Sequence, residues 1–383
     1  MTLYPYFTEE HEMFREVVDR FVEDHCGREY IRHCDEARDY PYEAYARIVE
    51  EGWLGLTVPE AHGGMEADLM FRVILQEGLS RYAFDMGAVY GVTVWGIETL
   101  LRFGTAAQQS HYIPQALDGR IRFSISMSEP DAGSDLTSIG LKAVDQGDHF
   151  LLNGQKLWAS AAGAKDNVII LAARTSRDEK NRRAGLTMFL VPNDTPGLEL
   201  RRLKTLSRHM TGTYEGFYTD VRIPKENVIG QVDRGWDVLS AFLIEERVGG
   251  AAMYVGNTQT ALDDAMRYAR TRKQFGRTLN EFQTIKHALS DAATELTAAR
   301  LLTYQAGWQA SRGVFDLKTA AMAKLFASEA GLRITTLGMQ VLGGYAQLPE
   351  FDMERYWRDA KQSTVSSGTS QIQRSIIGTA LDL

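Results

Sequence analysis

The sequence predicts a mainly α-helical protein with a central β domain, in the chain order helical, β, helical. Three observations carry this. Amphipathic helical periodicity runs through roughly the first 120 residues. Short β-rich runs bounded by Gly, Asn, Asp and Pro follow from Ile121 to Gly230, and long helical periodicity returns after Gly235. The expected organisation is an N-terminal helical domain over 1–120, a middle antiparallel β domain over 121–230 and a C-terminal helical bundle over 231–383.

In order, the spacing of apolar residues predicts helices over Glu9–Glu23, Tyr42–Glu51, Leu69–Arg81 and Ala88–Phe103, separated by polar turns such as Glu60–Gly64. The β-rich runs are HFLLNGQKLW, NVIILAAR, GLTMFLVP and GFYTDVRIP, and Asn153-Gly154 inside the first predicts a hairpin turn. Helices are then predicted over Trp236–Thr271, Leu279–Arg312 and Leu317–Leu342, lengths that suit an antiparallel four-helix bundle. The chain lacks βαβ alternation and a G-x-G-x-x-G opening a helix, which argues against a Rossmann dinucleotide site.

With 383 residues and 44% hydrophobic content the chain can bury a large core. A formal net charge of −8 without a long Lys/Arg run argues against nucleic-acid binding. Apolar runs fall short of the roughly 18 residues of a membrane span, and the acidic start MTLYPYFTEEHEMF does not resemble a leader, so a cytoplasmic protein beginning near Met1 is expected. Cys26 and Cys34 each follow a histidine, but they are eight apart, on a predicted helix and the loop after it. That spacing fails the zinc rule, so two free thiols and no metal are expected.

Five segments then stand out in order: GWLGLTVPEAHGG at 52–64, MSEPDAGSD at 127–135, RKQFG at 272–276, QVLGG at 340–344, and RDA at 358–360 with SGTSQIQR at 367–374. Together, at these separations and across the helix/β/helix outline, they resemble the acyl-CoA dehydrogenase family, and the resemblance covers nearly the whole chain. It implies the acyl-CoA dehydrogenase-like fold, FAD as cofactor, an oligomer that is usually a homotetramer, an electron-transfer flavoprotein as partner, and a place in fatty acid metabolism.

The resemblance also assigns residues. It puts Met127 and Ser128 at the flavin ring and Ser134 near both flavin and thioester; an ordinary serine turn is the alternative. Trp158 resembles the family tryptophan that packs on the isoalloxazine, with Ser160 in place of the usual threonine; plain core packing is the alternative. Arg272, Phe275 and Gln283 correspond to the segment that reaches the FAD of a neighbouring subunit, and a guanidinium suits a pyrophosphate. A solvated basic helix end would look the same. Gln340, Gly343 and Gly344 match the adenine side, where paired glycines admit a close backbone, and Thr369 and Gln371 complete the cofactor set. Arg247 and Gly368 join Ser134 as substrate-binding candidates.

The family reaction removes an α-proton from an acyl thioester while the β-hydrogen leaves as hydride, so a carboxylate is needed. Most members supply it in a Glu-Gly-Thr motif, whereas this chain reads Ser367-Gly368-Thr369 at unchanged distance from Arg358. A serine hydroxyl is too weak a base, which leaves Ser367 its backbone N–H as an oxyanion donor. Some members carry the base upstream, immediately before an arginine. Here that register selects Glu246, since Arg247 precedes Arg272 by 25 positions. Helical periodicity alone leaves Glu245 and a local ion pair open. Readings kept beside the acyl-CoA dehydrogenase are a dehydrogenase acting on a carrier protein, a 2-enoyl-CoA reductase resembling crotonobetainyl-CoA reductase, and a binding protein without activity.

Overall fold

The computed structural model describes residues 4–383, so the expected start near Met1 lies outside the described residues. Helix α1 (Glu9–His25) begins at Thr8, whose hydroxyl receives the His11 N–H while the His11 ring meets the Thr8 N–H, a reciprocal cap that satisfies two otherwise orphan donors. There follow α2 (Arg28–Ala37), α3 (Tyr42–Glu50), α4 (Leu69–Leu79), α5 (Phe84–Phe103) and α6 (Ala106–Leu117). Cys34 lies inside α2, not in a loop, and both thiols are buried and free. Burial pushes the Cys26 thiol up to about 12.

Helix α5 is apolar on almost every side because it is packed on almost every side. It lies against α4, α6, the first strand of the sheet and the long helix α7 (Gly235–Thr271). Gly96 permits the strand contact, for a Cβ there would stand 2.3 Å from the Phe123 ring.

The sheet contains β1 (Arg122–Ser126), β2 (Lys142–Asp145), β3 (His149–Ser160), β4 (Asn167–Arg174), β5 (Leu186–Pro192), β6 (Leu198–Arg202), β7 (Thr213–Pro224) and β8 (Val228–Ile229). Its order is β6-β7-β3-β2-β4-β5-β8, with β1 beside β4. Most pairs are antiparallel, while β1 and β2 meet β4 in parallel. The Asn153-Gly154 hairpin does not form. Both residues lie inside β3, where Gly154 has φ 148°, a Cβ on it would approach Leu141 to 2.9 Å, and the pairing with β7 shifts register. The glycine thus serves close packing at a bulge. Asn153 bonds across the sheet to Asp220, and the chain reverses earlier, around Gly147.

After α7, a two-stranded hairpin, β9 (Lys273–Gln274) and β10 (Arg277–Thr278), leads to α8 (Gln283–Ser311), α9 (Leu317–Leu342), α10 (Met353–Ser363) and α11 (Ser370–Ala380). Helix α8 begins four residues later than its periodicity predicts, because Leu279–Glu281 forms a 3-10 turn closed by a Thr278–Glu281 capping box. Helices α7, α8 and α9 pack on one another, with α10 and α11 laid against α9. Arg28 of α2 ties the two ends of the chain together, donating to Asp264 of α7 at 2.7 Å and to the fully buried Asp352 at 2.8 Å. Among the described residues, no helix is long and apolar enough to cross a membrane.

Candidate active site

Helix α7 carries Glu245 and Glu246 about 100° apart around its axis, and the two carboxylates meet different surroundings. Glu245 is buried and receives Arg72 Nη2 at 2.9 Å on one oxygen and Arg102 Nη2 at 3.1 Å on the other. Arg72 also reaches Glu98, so Glu245 belongs to an ionic network joining α4, α5 and α7. Glu246 turns toward the α10–α11 loop, where its Oε1 accepts the Ser367 hydroxyl at 2.9 Å. Its Oε2 is buried and has no hydrogen-bond partner among the described residues. Burial pushes the Glu246 carboxyl above the ordinary range, opposed by the Ser367 hydroxyl and by the charges of Arg247 and Lys324.

The loop facing Glu246 is held from three sides. Ser367 and Gly368 have φ of 56° and 83°, a left-handed pair that glycine adopts freely and serine does not. Gln373 Nε2 donates to the carbonyls of Ser367 at 2.8 Å and Gly368 at 3.0 Å. Lys324, fully buried on α9, donates to Gly368 O at 2.8 Å and Ser363 O at 2.9 Å, and burial pushes its ammonium down to about 8. Arg247, expected on the substrate, donates Nε to Gln373 at 3.1 Å and Nη1 to Leu243 O at 2.8 Å. Thr369, expected on the cofactor, caps α11. Behind the loop, the Tyr254 hydroxyl lies 3.5 Å from Ser366 Oγ, and Ser366 donates to Gln362, which also accepts from Arg208. Lys324 and Arg208 escape sequence reasoning because their partners are distant in the chain, and Gln373 because its link to Arg247 spans 126 positions.

Met127 and Ser128 follow β1 directly. Their carbonyls accept Lys156 Nζ at 2.7 Å and Leu157 N–H at 2.9 Å, which pins the segment to β3. Lys156 is itself fully buried against Glu129, at 2.8 Å, a pair that residue spacing did not reveal. Next to them Trp158, at φ 65° on a β3 bulge, is 57% exposed; an indole so presented is a ready stacking surface. Ser160 ends the strand opposite Thr213, and Ser134 stands exposed on the 127–135 segment.

A groove of about 510 Å³ brings Arg272 together with Gly343, Gly344 and Tyr345. The guanidinium lies 5.7 Å from the Tyr345 ring, and a Cβ on either glycine would meet no atom of this chain within 4 Å. A fixed cation, an aromatic face and bare backbone form a donor set that fits a dinucleotide pyrophosphate and base. Phe275, on the tip of the β9–β10 hairpin, is 93% exposed; Gln283, Gln340 and Gln371 are exposed as well and lie outside these groupings.

Three family models match in succession: the N-terminal domain of acyl-CoA dehydrogenase over residues 8–120, the middle domain over 124–221 and the C-terminal domain over 233–381. The chain belongs to the acyl-CoA dehydrogenase family. It is a flavoprotein oxidoreductase whose cofactor is FAD. Among its relatives, the caffeyl-CoA reductase-Etf complex subunit CarC of Acetobacterium woodii is 33% identical, over 97% of this chain and 98% of that protein. The probable acyl-CoA dehydrogenase YngJ of Bacillus subtilis is also 33% identical, over 98% of each. The crystal structure of the prolyl acyl carrier protein oxidase AnaB superposes with a TM-score of 0.92 at 29% identity, covering 98% of this chain and 100% of that one.

Proposed function

We propose that this acyl-CoA dehydrogenase family member interconverts an acyl-CoA thioester and its 2-enoyl thioester, with Glu246 as the proton-transfer base. The observation that carries the reading is the half-buried Glu246, with one carboxylate oxygen held by Ser367 and the other buried and without a hydrogen-bond partner among the described residues. Its raised pKa brings it toward the basicity that abstraction of an α-proton asks for. Glu245 is unsuited to that work because two arginines already occupy its oxygens. When bound, FAD supplies the acceptor for the β-hydride. The loop held by Gln373 and Lys324 supports the Ser367 backbone N–H as donor to the thioester oxygen, with Gly368 beside it, while Arg247 acts on the substrate through Gln373.

Trp158, Ser160, Met127, Ser128 and Ser134 form the flavin-ring side of this reading. Arg272, Gly343 and Gly344 form the pyrophosphate and adenine side, with Phe275, Gln283, Gln340, Thr369 and Gln371 completing contacts across a homo-oligomer. The exposure of Phe275 and of the Arg272 groove supports an assembly in which a second copy covers them. The organisation follows three domains, 1–120, 121–230 and 231–383, in a cytoplasmic protein that exchanges electrons with an electron-transfer flavoprotein.

A second reading, favoured by the likeness to CarC, runs the same site backwards: Glu246 then delivers the α-proton to an enoyl thioester. The likeness to AnaB supports a carrier-bound acyl group as the remaining option. Anaerobic mixing of the yellow protein with saturated acyl-CoAs and acyl-carrier proteins tests the first reading by flavin bleaching. Reoxidation of the reduced protein by 2-enoyl-CoAs tests the second. Absence of both reactions across short, branched and aromatic acyl groups overturns the proposal.

A further inference from the structure

Sequence alone leaves Ser367 only a backbone role, yet the structure gives its side chain the single polar contact made by the Glu246 carboxylate among the described residues. Resting on the reading of Glu246 as base, we propose that the Ser367 hydroxyl is a positioning residue for Glu246, tying down Oε1 so that the buried, unpaired Oε2 is the atom presented to the substrate α-carbon.

Two independent features support it. Ser367 sits at φ 56°, a conformation that glycine would adopt without strain. Keeping a Cβ and hydroxyl there has a use if the hydroxyl acts. The loop is also braced by Gln373 and Lys324 through its carbonyls, which fixes the backbone and leaves the side chain to point at Glu246. A hydroxyl donating to a carboxylate stabilises its ionised form. The groups around Glu246 are Arg247 on its own helix, Lys324 on α9, the Tyr254 phenol on the same α7, and Ser367; Glu245 is turned away onto Arg72 and Arg102. Of these, Ser367 is the neutral donor in contact, so its removal shifts the base upward without altering the local charge.

The test compares Ser367→Ala and Ser367→Gly with wild-type holoenzyme. Glycine relieves the backbone while alanine does not, so an effect common to both belongs to the hydroxyl. Expected is a move of the acid limb of flavin reduction by acyl thioester to higher pH by about one unit in both variants, with FAD content unchanged; Ser367→Cys, a weaker donor, shifts it part-way. Independently of turnover, the infrared band of the protonated Glu246 carboxyl, identified by its loss in Glu246→Gln, is expected to titrate at higher pH in Ser367→Ala than in wild type. An unchanged titration overturns the hydroxyl's role even in an active enzyme. A shifted band in a protein that reacts with neither acyl nor enoyl thioesters upholds the pairing and overturns the assignment of Glu246 as base.

Discussion

Glu245 and Glu246 are adjacent in sequence yet belong to separate systems, the first clamped between Arg72 and Arg102, the second facing Ser367 with one oxygen that has no hydrogen-bond partner among the described residues. Their substitutions therefore separate stability from chemistry. Glu246→Gln keeps shape and FAD and is expected to slow flavin bleaching by a factor on the order of 10³, the scale of a lost general base. Glu245→Gln leaves Arg72 short of its main counter-charge and is expected to cost about 3 kcal/mol of stability, read as a lower thermal midpoint, because breaking one member of a buried ionic network strands the rest. Matching losses of bleaching in the two correctly folded variants would remove the distinction.

The Arg272 groove gives a prediction about the cofactor. Arg272→Met removes the cation and Gly343→Ala adds a Cβ at φ 62°, ψ −135°, a region open to glycine. Both variants are expected to purify folded but with depleted flavin, measured as the ratio of flavin to protein absorbance and by the concentration of added FAD that restores it. Full flavin content in both would place the pyrophosphate elsewhere.

The parts of this protein legible in the sequence are those fixed by local periodicity or by register. Helices α7 and α9 follow from apolar spacing, while the choice of Glu246 as candidate base rests on its distance to Arg272 in the family register. Asn153-Gly154 misleads because a glycine needed for packing against Leu141 carries the same dipeptide as a hairpin turn. Helix α6 hides behind Pro114 and a polar composition, and α2 behind charged residues around Cys34. The site's supports, Lys324 with Gly368 and Lys156 with Glu129, join residues 44 and 27 positions apart, so only the fold discloses them. Ser367 is the clearest instance: its letter reads as a missing base, and its hydroxyl contact with Glu246 appears only once α7 and the α10–α11 loop are side by side.

Lys324 links that loop to pH. Its folded pKa, pushed down to about 8 from an ordinary 10.5, lies below the unfolded value. The stability it contributes is therefore full above about 10.5 and is lost as pH falls through 8, where the buried amine must take up a proton. Lys324→Met removes this titration and leaves Ser363 O and Gly368 O without their donor. The variant is expected to be destabilised, by a larger margin at pH about 9 than at about 6. Denaturant unfolding of both proteins at the two pH values checks the sign; an equal or reversed difference contradicts it.

Gln76 of α4 offers a prediction of opposite direction. It is fully buried, and neither its amide nitrogen nor its oxygen has a hydrogen-bond partner among the described residues. The amide lies against Gly249 of α7 so closely that a Cβ there would stand 2.7 Å from Oε1. An unpaired buried amide costs roughly 1–3 kcal/mol, whereas an apolar side chain of the same shape does not. Gln76→Leu should accordingly raise stability by about 1 kcal/mol, shifting the thermal midpoint up by about one degree in a chain of this length. Because Gly249 is one turn from Glu246, the same variant should be assayed with each thioester that bleaches the flavin. A lower midpoint would mean that the amide is paired in the folded protein, and the energetic argument would then fail.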